Sequence, residues 1–267
     1  MREHSTRRSF RKRFGNPAWP LTLFPLPAFP EIRRGQNLAK TILEAARRQR
    51  IEFEAGDIVV VAQKIISKAE GRVVSLRSVR PSVRARALAK TLKNDPRFIE
   101  MVLRESRRIV RAGPRVLIVE TRHGFVCANA GVDRSNVPGR DSVTLLPLRP
   151  DDSARRLAAA LRKRTGKRVA VIISDTFGRP WRLGLINVAI GAAGLPVLLD
   201  LRGLRDRTGK RLHATILAVA DELAAAAGLV MGKAEGVPVV VVRGYRFRPA
   251  QEGAARIIRP AKEDLFR

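Results

Sequence analysis

The chain is poor in several residue types at once. It has one cysteine, one tyrosine and two tryptophans in 267 residues, and aromatics make up 5% of it. The single thiol, Cys127, has no partner for an internal disulfide, which fits a reducing compartment such as the cytoplasm. Its apolar neighbours mark it as a buried strand thiol and not a nucleophile. Long hydrophobic runs are lacking too. The longest nearly apolar stretch, Leu185–Leu199, is short for a membrane span and is interrupted by Asn187, glycines and Pro196, so no membrane association is expected. No GxxxxGK[ST] loop exists: GLVMGKAEG (Gly228–Gly236) has the wrong spacing and lacks a hydroxyl after Lys233, and RTGKR at 164–168 and 207–211 fails the same test. No GxGxxG turn follows a strand. Neither a P-loop nor a dinucleotide fingerprint is available, so a nucleotide would have to be held by metal, lysines and backbone amides of several loops.

Acidic residues are scarce, 24 against 53 Lys and Arg, which leaves a formal net charge of +29. Such a chain has the electrostatics of a nucleic-acid-binding protein, and that is the rival reading from another class. Against it, basic and aromatic residues are not interleaved and no recognition module is present. The charge is read instead as compositional background that helps gather anionic substrates. Part of it lies in MREHSTRRSFRKRFGN, residues 1–16, a polar basic tail without apolar period that reads as disordered and lacks the apolar core of a secretory signal.

Residues 17–267, in a chain with 45% hydrophobic residues, can bury one large core or two intimate subdomains. Strand-like runs recur at Asp57, Arg115, Arg168, Pro196 and Val237 with helical patterns between several of them, so the class is mixed α/β. Expected helices cover Ala87–Lys93, Phe98–Arg111 and Ser153–Thr165, the last with Asp152 as N-cap and Gly166 as its stop. Thr215–Met231 reads as a buried helix, whose Asp221 and Glu222 need partners, a nearby arginine being the expected one.

Chemistry concentrates after three apolar runs. RVAVII (Arg168–Ile173) is followed by SDTFGRPWR, which puts Asp175 and Thr176 at a strand exit with Arg179 and Arg182 on the same loop. Carboxylate and hydroxyl oxygens suit Mg²⁺ or Mn²⁺, and guanidinium groups read phosphate or carboxylate. An Asp capping the next helix, with two solvated arginines, explains the same residues as well. NAGVDRSN (Asn129–Asn136) places Asp133 beside Ser135 and Asn136, where it either joins Asp175 on one cation or makes a plain Asx turn. DIVVVA (Asp57–Ala62) runs into Gln63, Lys64, Ser67 and Lys68, lysines that either meet nucleotide phosphates or stand in solvent. His4, His123 and His213 lack ligand-spaced partners, and Asp206 reads as a turn residue.

The order FPEIRRGQNLAKTI (Phe29–Ile42), VVAQKIISKAEGR (Val60–Arg72), NAGVDRSN, SDTFGRPWRLGLINVAIGAAG (Ser174–Gly194) and MGKAEGVPVVVVRG (Met231–Gly244) resembles the coenzyme F420:L-glutamate ligase family, over roughly Leu23 to Tyr245. The resemblance implies an α+β fold in two subdomains, intertwined as a homodimer. It implies addition of L-glutamate, by γ-linkage, to the phosphodiester-linked coenzyme F420 precursor, with GTP as co-substrate, Mg²⁺ or Mn²⁺, and a monovalent cation such as K⁺. The motifs would serve equally a ligase of the same mechanism acting on another phosphorylated acid. By the same resemblance Asp133 and Asp175 bind metal, with Thr176 at a second metal position. Phe29, Pro30, Glu31, Ile32, Gln63, Lys64, Lys68 and Asn136 contact the guanine nucleotide, and Gly232, Lys233, Ala234, Glu235, Gly236, Val237 and Pro238 close over it. Lys68 is assigned to phosphate and Arg179 or Arg182 to the acidic acceptor. Two departures from the family pattern stand out: Lys233 occupies a place where an acidic residue can occur, leaving Glu235 as the local candidate for a third carboxylate, and Asn37 replaces an aspartate at a helix cap. No room remains before Arg267 for the flavin-binding domain that some relatives carry.

Overall fold

The computed structural model describes residues 20–265 except 138 and 140, so the basic tail expected at residues 1–16 lies outside the described residues. In chain order the elements are β1 (Thr22–Leu26), α1 (Leu38–Arg48), β2 (Ile58–Ala62), α2 (Gln63–Ala69), β3 (Val73–Ser75), α3 (Val83–Leu92), α4 (Pro96–Arg104), β4 (Ser106–Gly113), β5 (Val116–Thr121) and β6 (Val126–Ala128). They continue with β7 (Ser142–Thr144), α5 (Pro150–Thr165), β8 (Ala170–Arg179), β9 (Arg182–Ala193), β10 (Leu199–Asp200), β11 (Ile216–Leu217), α6 (Val219–Met231) and β12 (Val239–Arg243). The mixed α/β class read from the sequence is what the chain adopts.

The central sheet has the order β1-β12-β2-β8-β9. Its β2 and β8 run parallel, from Ile58 opposite Ala170 to Ala62 opposite Ser174, and the other pairings are antiparallel. Both faces are covered, which is why these strands read as continuous apolar runs instead of alternating ones. Along β2 the pleat sends Val59 and Val61 into the core shared with α1 and α5, while Ile58 and Val60 enter the core shared with α6. Gly191 of β9 lets the start of α5 lie directly on the strand, since a Cβ there would fall 2.6 Å from the Pro150 carbonyl carbon.

A third core gathers α3, α4, β5 and β7 around Leu76, Leu92, Ile99, Leu117, Val119 and Val143. Its antiparallel sheet β4-β5-β6 and the β3-β7 pair sit within residues 73–144, inside the crossover from β2 to β8. Asn37 caps α1 by accepting from the Lys40 amide at 3.0 Å.

Four details differ from the sequence reading. The helix expected over Phe98–Arg111 stops at Arg104, because Ser106 to Gly113 pair with β5 instead. Helix α5 begins at Pro150, a residue suited to a first turn, so Asp152 lies inside that turn and is not the N-cap; Gly166 does end it, in the left-handed region at φ 69°. The helix expected from Thr215 starts at Val219, and Ile216–Leu217 pair with β10. Within α6, Asp221 accepts the Ala189 amide at 2.8 Å, so its partner is backbone and not arginine.

Candidate active site

The strand directions decide where the site lies. β2 and β8 reach their carboxyl ends at one edge of the sheet, and antiparallel β12 begins there, with Val239 opposite both Val61 and Leu26. The chain after β1, the first turn of α2, the loop before β12 and the continuation of β8 therefore meet at that edge, the usual ligand edge of an α/β sheet. They enclose a cavity of about 920 Å³.

Almost every candidate from the sequence lines it: Phe29, Pro30, Glu31, Ile32, Gln63, Lys64, Lys68, Asp133, Asn136, Asp175, Thr176, Gly232, Lys233, Ala234, Gly236, Val237 and Pro238. Glu235, Arg179 and Arg182 are not among the lining residues. The Glu235 carboxylate folds back onto its own loop, accepting the Lys233 and Ala234 amides at 2.7 and 2.8 Å. Arg179 and Arg182 pair across the tip of the β8–β9 hairpin, where Arg179 donates to the Leu183 carbonyl at 3.1 Å.

The hairpin corrects one local expectation. Asp175 and Thr176 are not in a loop; β8 continues through them to Arg179, while β2 ends opposite Ser174. They occupy a strand exit only with respect to the sheet. A register shift against β9 between Ile173 and Ser174, which leaves Ile190 of β9 unmatched, interrupts the ladder just before them, and such irregularities re-aim side chains next to active sites. Asp133 comes from the other region of the molecule, held by a backbone bridge to Thr144, with amide-to-carbonyl bonds of 3.0 and 2.8 Å.

The two aspartates are treated differently by their surroundings. Burial works to raise the Asp133 carboxyl, but Lys64 Nζ at 2.6 Å and the Ser135 amide and hydroxyl at 2.7 and 2.8 Å hold it below the ordinary value. Asp175 is pushed up to about 6, by burial first and by the charge of Asp133, against a backbone bond from Thr176 and the attraction of Lys64 and Lys233. Lys68, whose side chain is 7% exposed, donates to Glu31 at 2.6 Å, and Gln63 accepts the Ser67 hydroxyl at 2.7 Å. Thr176 donates to Asn187 Oδ1 at 2.8 Å while its oxygen receives the Lys233 ammonium.

Asp133, Asp175 and Thr176 are hard oxygen donors, and among the described residues no group of three or more His, Cys, Asp or Glu is gathered that could hold a metal. Two carboxylates with room for a polyphosphate suit an ion like Mg²⁺, which takes one or two carboxylates and completes its shell with water and phosphate oxygens.

Sequence reasoning passed over Asn187, Ser174 and Met231, which also line the cavity. Asn187 left a trace, as the one amide in an apolar strand run, but its role depends on the hairpin register that sets it opposite Thr176. Cys127 lies buried on β6, and burial together with the nearby Asp175 pushes its thiol up to about 12, in keeping with an inert strand cysteine. His123 sits in the turn between β5 and β6 with Nε2 at 2.8 Å from the Pro147 carbonyl. Among the described residues no helix is long and apolar enough to cross a membrane.

The comparisons with known proteins meet this geometry. The chain is 48% identical over 253 residues to the coenzyme F420:L-glutamate ligase of Methanopyrus kandleri, covering 92% of this chain and 98% of that protein. To the enzyme of the same name from Methanothermobacter thermautotrophicus it is 45% identical over 250 residues, 92% of this chain and 99% of the relative. Against that of Methanocaldococcus jannaschii it is 47% identical over 217 residues, 80% and 86% of the two chains. The matched segment, residues 28–244, spans every motif that lines the cavity, and the chain belongs to the F420-0:gamma-glutamyl ligase family.

Proposed function

We propose that the chain is a GTP-dependent, divalent-metal-dependent ligase of the cytoplasm that joins L-glutamate, by γ-linkage, to the coenzyme F420 precursor. The observation that carries this reading is the convergence of Asp133 and Asp175 with Lys64, Lys68 and Lys233 in one cavity large enough for a nucleotide and an acceptor.

Amide formation from a carboxylate requires a better leaving group than hydroxide. In the proposed reaction a carboxylate oxygen of the acceptor attacks the γ-phosphorus of GTP and GDP departs. The resulting acyl phosphate is attacked by the glutamate amine, and phosphate leaves as the nitrogen loses its proton. No covalent enzyme intermediate is needed, so the protein's contribution is positioning and charge neutralisation. Asp133 and Asp175, with Thr176 beside them, would hold the divalent cation, which supplies charge compensation for the phosphates when bound. Lys68, nearly buried and already oriented by Glu31, is placed to meet a phosphate oxygen. Phe29 to Ile32 and the loop Gly232–Pro238 form the walls that would exclude water from the acyl phosphate. Arg179 and Arg182 on the hairpin would serve the acceptor if the hairpin bends over the cavity or meets it across a dimer.

The same hairpin supports a homodimer. Beyond the end of β2 it projects as a two-stranded ribbon, and its tip leaves Trp181 80% and Leu183 98% exposed. Apolar surface of that kind fits contact with a second copy. Light scattering of the purified protein tests it, with a monomeric mass as the opposing result.

The deciding experiment for the activity is mass spectrometry of a reaction holding the protein, GTP, Mn²⁺, L-glutamate and the unglutamylated precursor. Product heavier by one or more glutamyl units, with GDP, is the expected result. GDP without that product points to another phosphorylated acid, and no GTP turnover with any metal overturns the reading.

A further inference from the structure

We propose that Lys233 is a tethered cation: its ammonium fills, beside Thr176, the place that a second metal ion or a monovalent cation would take, so that this chain operates with a single divalent ion. The inference rests on the functional reading above and concerns the cation inventory of the same site.

The placement of Lys233 is built into the loop. Helix α6 ends at Gly232, whose φ of 59° and ψ of −160° belong to a region essentially reserved for glycine. A Cβ at Gly232 would also collide with the Glu235 carboxylate. That carboxylate gathers the Lys233 and Ala234 amides at 2.7 and 2.8 Å, which fixes the turn that sends the Lys233 side chain back toward β8. Its Nζ donates to Thr176 Oγ1. The Thr176 proton is directed away, to Asn187 Oδ1 at 2.8 Å, and Asn187 Nδ2 is in turn 3.7 Å from the Met231 sulfur. The threonine oxygen therefore presents its lone pairs to the ammonium, in the way it would present them to a metal ion.

The charges agree with this role. Lys64 is engaged by Asp133 and Lys68 by Glu31, each at 2.6 Å. Lys233 acts instead on the Thr176 hydroxyl and, through space, on Asp175. The one acidic residue of the loop, Glu235, is turned onto backbone amides, so the loop brings no third carboxylate to a second ion. A further cation beside Thr176 would meet the Lys233 ammonium at contact distance with no added negative ligand. An ammonium in that position carries its own charge to the phosphates without any ion having to be recruited.

The test counts Mn²⁺ by electron paramagnetic resonance on the full chain, with a non-hydrolysable GTP analogue, in KCl and in choline chloride. Wild type should bind one Mn²⁺ per protomer, with analogue affinity the same in both salts. K233Q should lose affinity for the Mn²⁺ analogue complex by about tenfold in choline. KCl or a second Mn²⁺ should restore it. K233E should bind two Mn²⁺. Lys233 is exposed on a loop, and a thermal melt of each variant confirms the fold. Two Mn²⁺ on wild type, or a K233Q protein that binds as wild type does in choline, overturns the tethered cation and leaves the ligase reading intact. Failure of wild type to bind either Mn²⁺ or the analogue overturns both.

Discussion

Asp133 and Asp175 line the same cavity, yet the protein satisfies the first far more fully than the second. Asp133 sits on a bridge from the β3–β7 side, and its carboxylate is occupied by Lys64 and by the Ser135 amide and hydroxyl. Asp175 stands on the long hairpin past the last rung of β2, raised to about 6 by burial and by Asp133. The contrast shows a division of labour. A carboxylate already compensated can shape a site before any ligand arrives, whereas a half-buried carboxylate that a backbone bond from Thr176 and the more distant charges of Lys64 and Lys233 compensate only in part has most to gain from an incoming cation. Affinity for a divalent ion should therefore depend more steeply on Asp175 than on Asp133.

The largest expected effect breaks the comparison on the Asp175 side. Asp175→Asn keeps the shape and removes the charge, so glutamyl transfer should fall by about a thousandfold or more, since the charge compensation of a phosphoryl transfer is lost. The fold should survive, because the variant relieves like-charge repulsion; steady-state kinetics with a thermal melt check both parts. Near-normal turnover in a folded protein would remove Asp175 from the site. Next in size is Lys68→Ala, for which GTP affinity should drop by about ten- to a hundredfold, the range of a lost charge-assisted contact. Isothermal titration with GTP and Mg²⁺ reads it, and unchanged affinity would count against a phosphate role.

A third effect sharpens the contrast through pH. The folded Asp175 carboxyl titrates near 6, above its ordinary value of 3.8, so between these values the folded state binds more proton than the unfolded one. Stability from this group is thus greatest at low pH and is lost as pH rises through that window, by about 1–3 kcal/mol after allowance for partial solvent contact. Asp133, held low, behaves oppositely: its contribution is present above the ordinary carboxylate range and is lost as pH falls through its lowered value. Denaturant unfolding of metal-free wild type and Asp175→Asn from pH 4 to 7 should show the difference between the two curves growing with pH. Parallel curves would mean that Asp175 titrates normally.

How much of this was legible in the sequence follows from what each residue's role depends on. The apolar runs at β2, β8 and β12 are buried on both faces, and continuous valines and isoleucines announce that directly. Lys64 and Lys68 follow such a run within the first two turns of the helix that comes directly after it, close enough that local order alone places them at the strand end. The Thr176–Asn187 pair could not be read this way, because it depends on a two-residue hairpin turn and on the irregular register before it. The extent of β8 was missed for a related reason: Gly178 and Pro180 look like loop residues, and only the partner strand keeps the chain extended up to them. Likewise, the arginines near Asp221 suggested an ion pair, while the buried Ala189 amide, invisible as a donor in sequence, takes the carboxylate. The spatial meeting of Asp133 with Asp175 joins the region inserted in the crossover to the strand that follows it, with β7 and α5 lying between the two in the chain, and there the family motifs carried what local patterns could not.

The smallest expected effect uses Cys127 as a reporter of the same asymmetry. Its thiol is raised to about 12, by burial first and then by the charge of Asp175, while Asp133 is not among the causes. A thiolate is the reactive form, so iodoacetamide should label native wild type at pH 8 only to the extent that the protein opens. Asp175→Asn removes one of the two raising influences and should lower the thiol's pKa, leaving burial to keep it above that of a free cysteine. Asp133→Asn should leave it in place. The measurement is a labelling rate against pH for the three proteins, with the unfolded chain as reference. If Asp133→Asn moved the thiol as far as Asp175→Asn does, the two carboxylates would share one field, and the division between a fully and a partly compensated aspartate would fail.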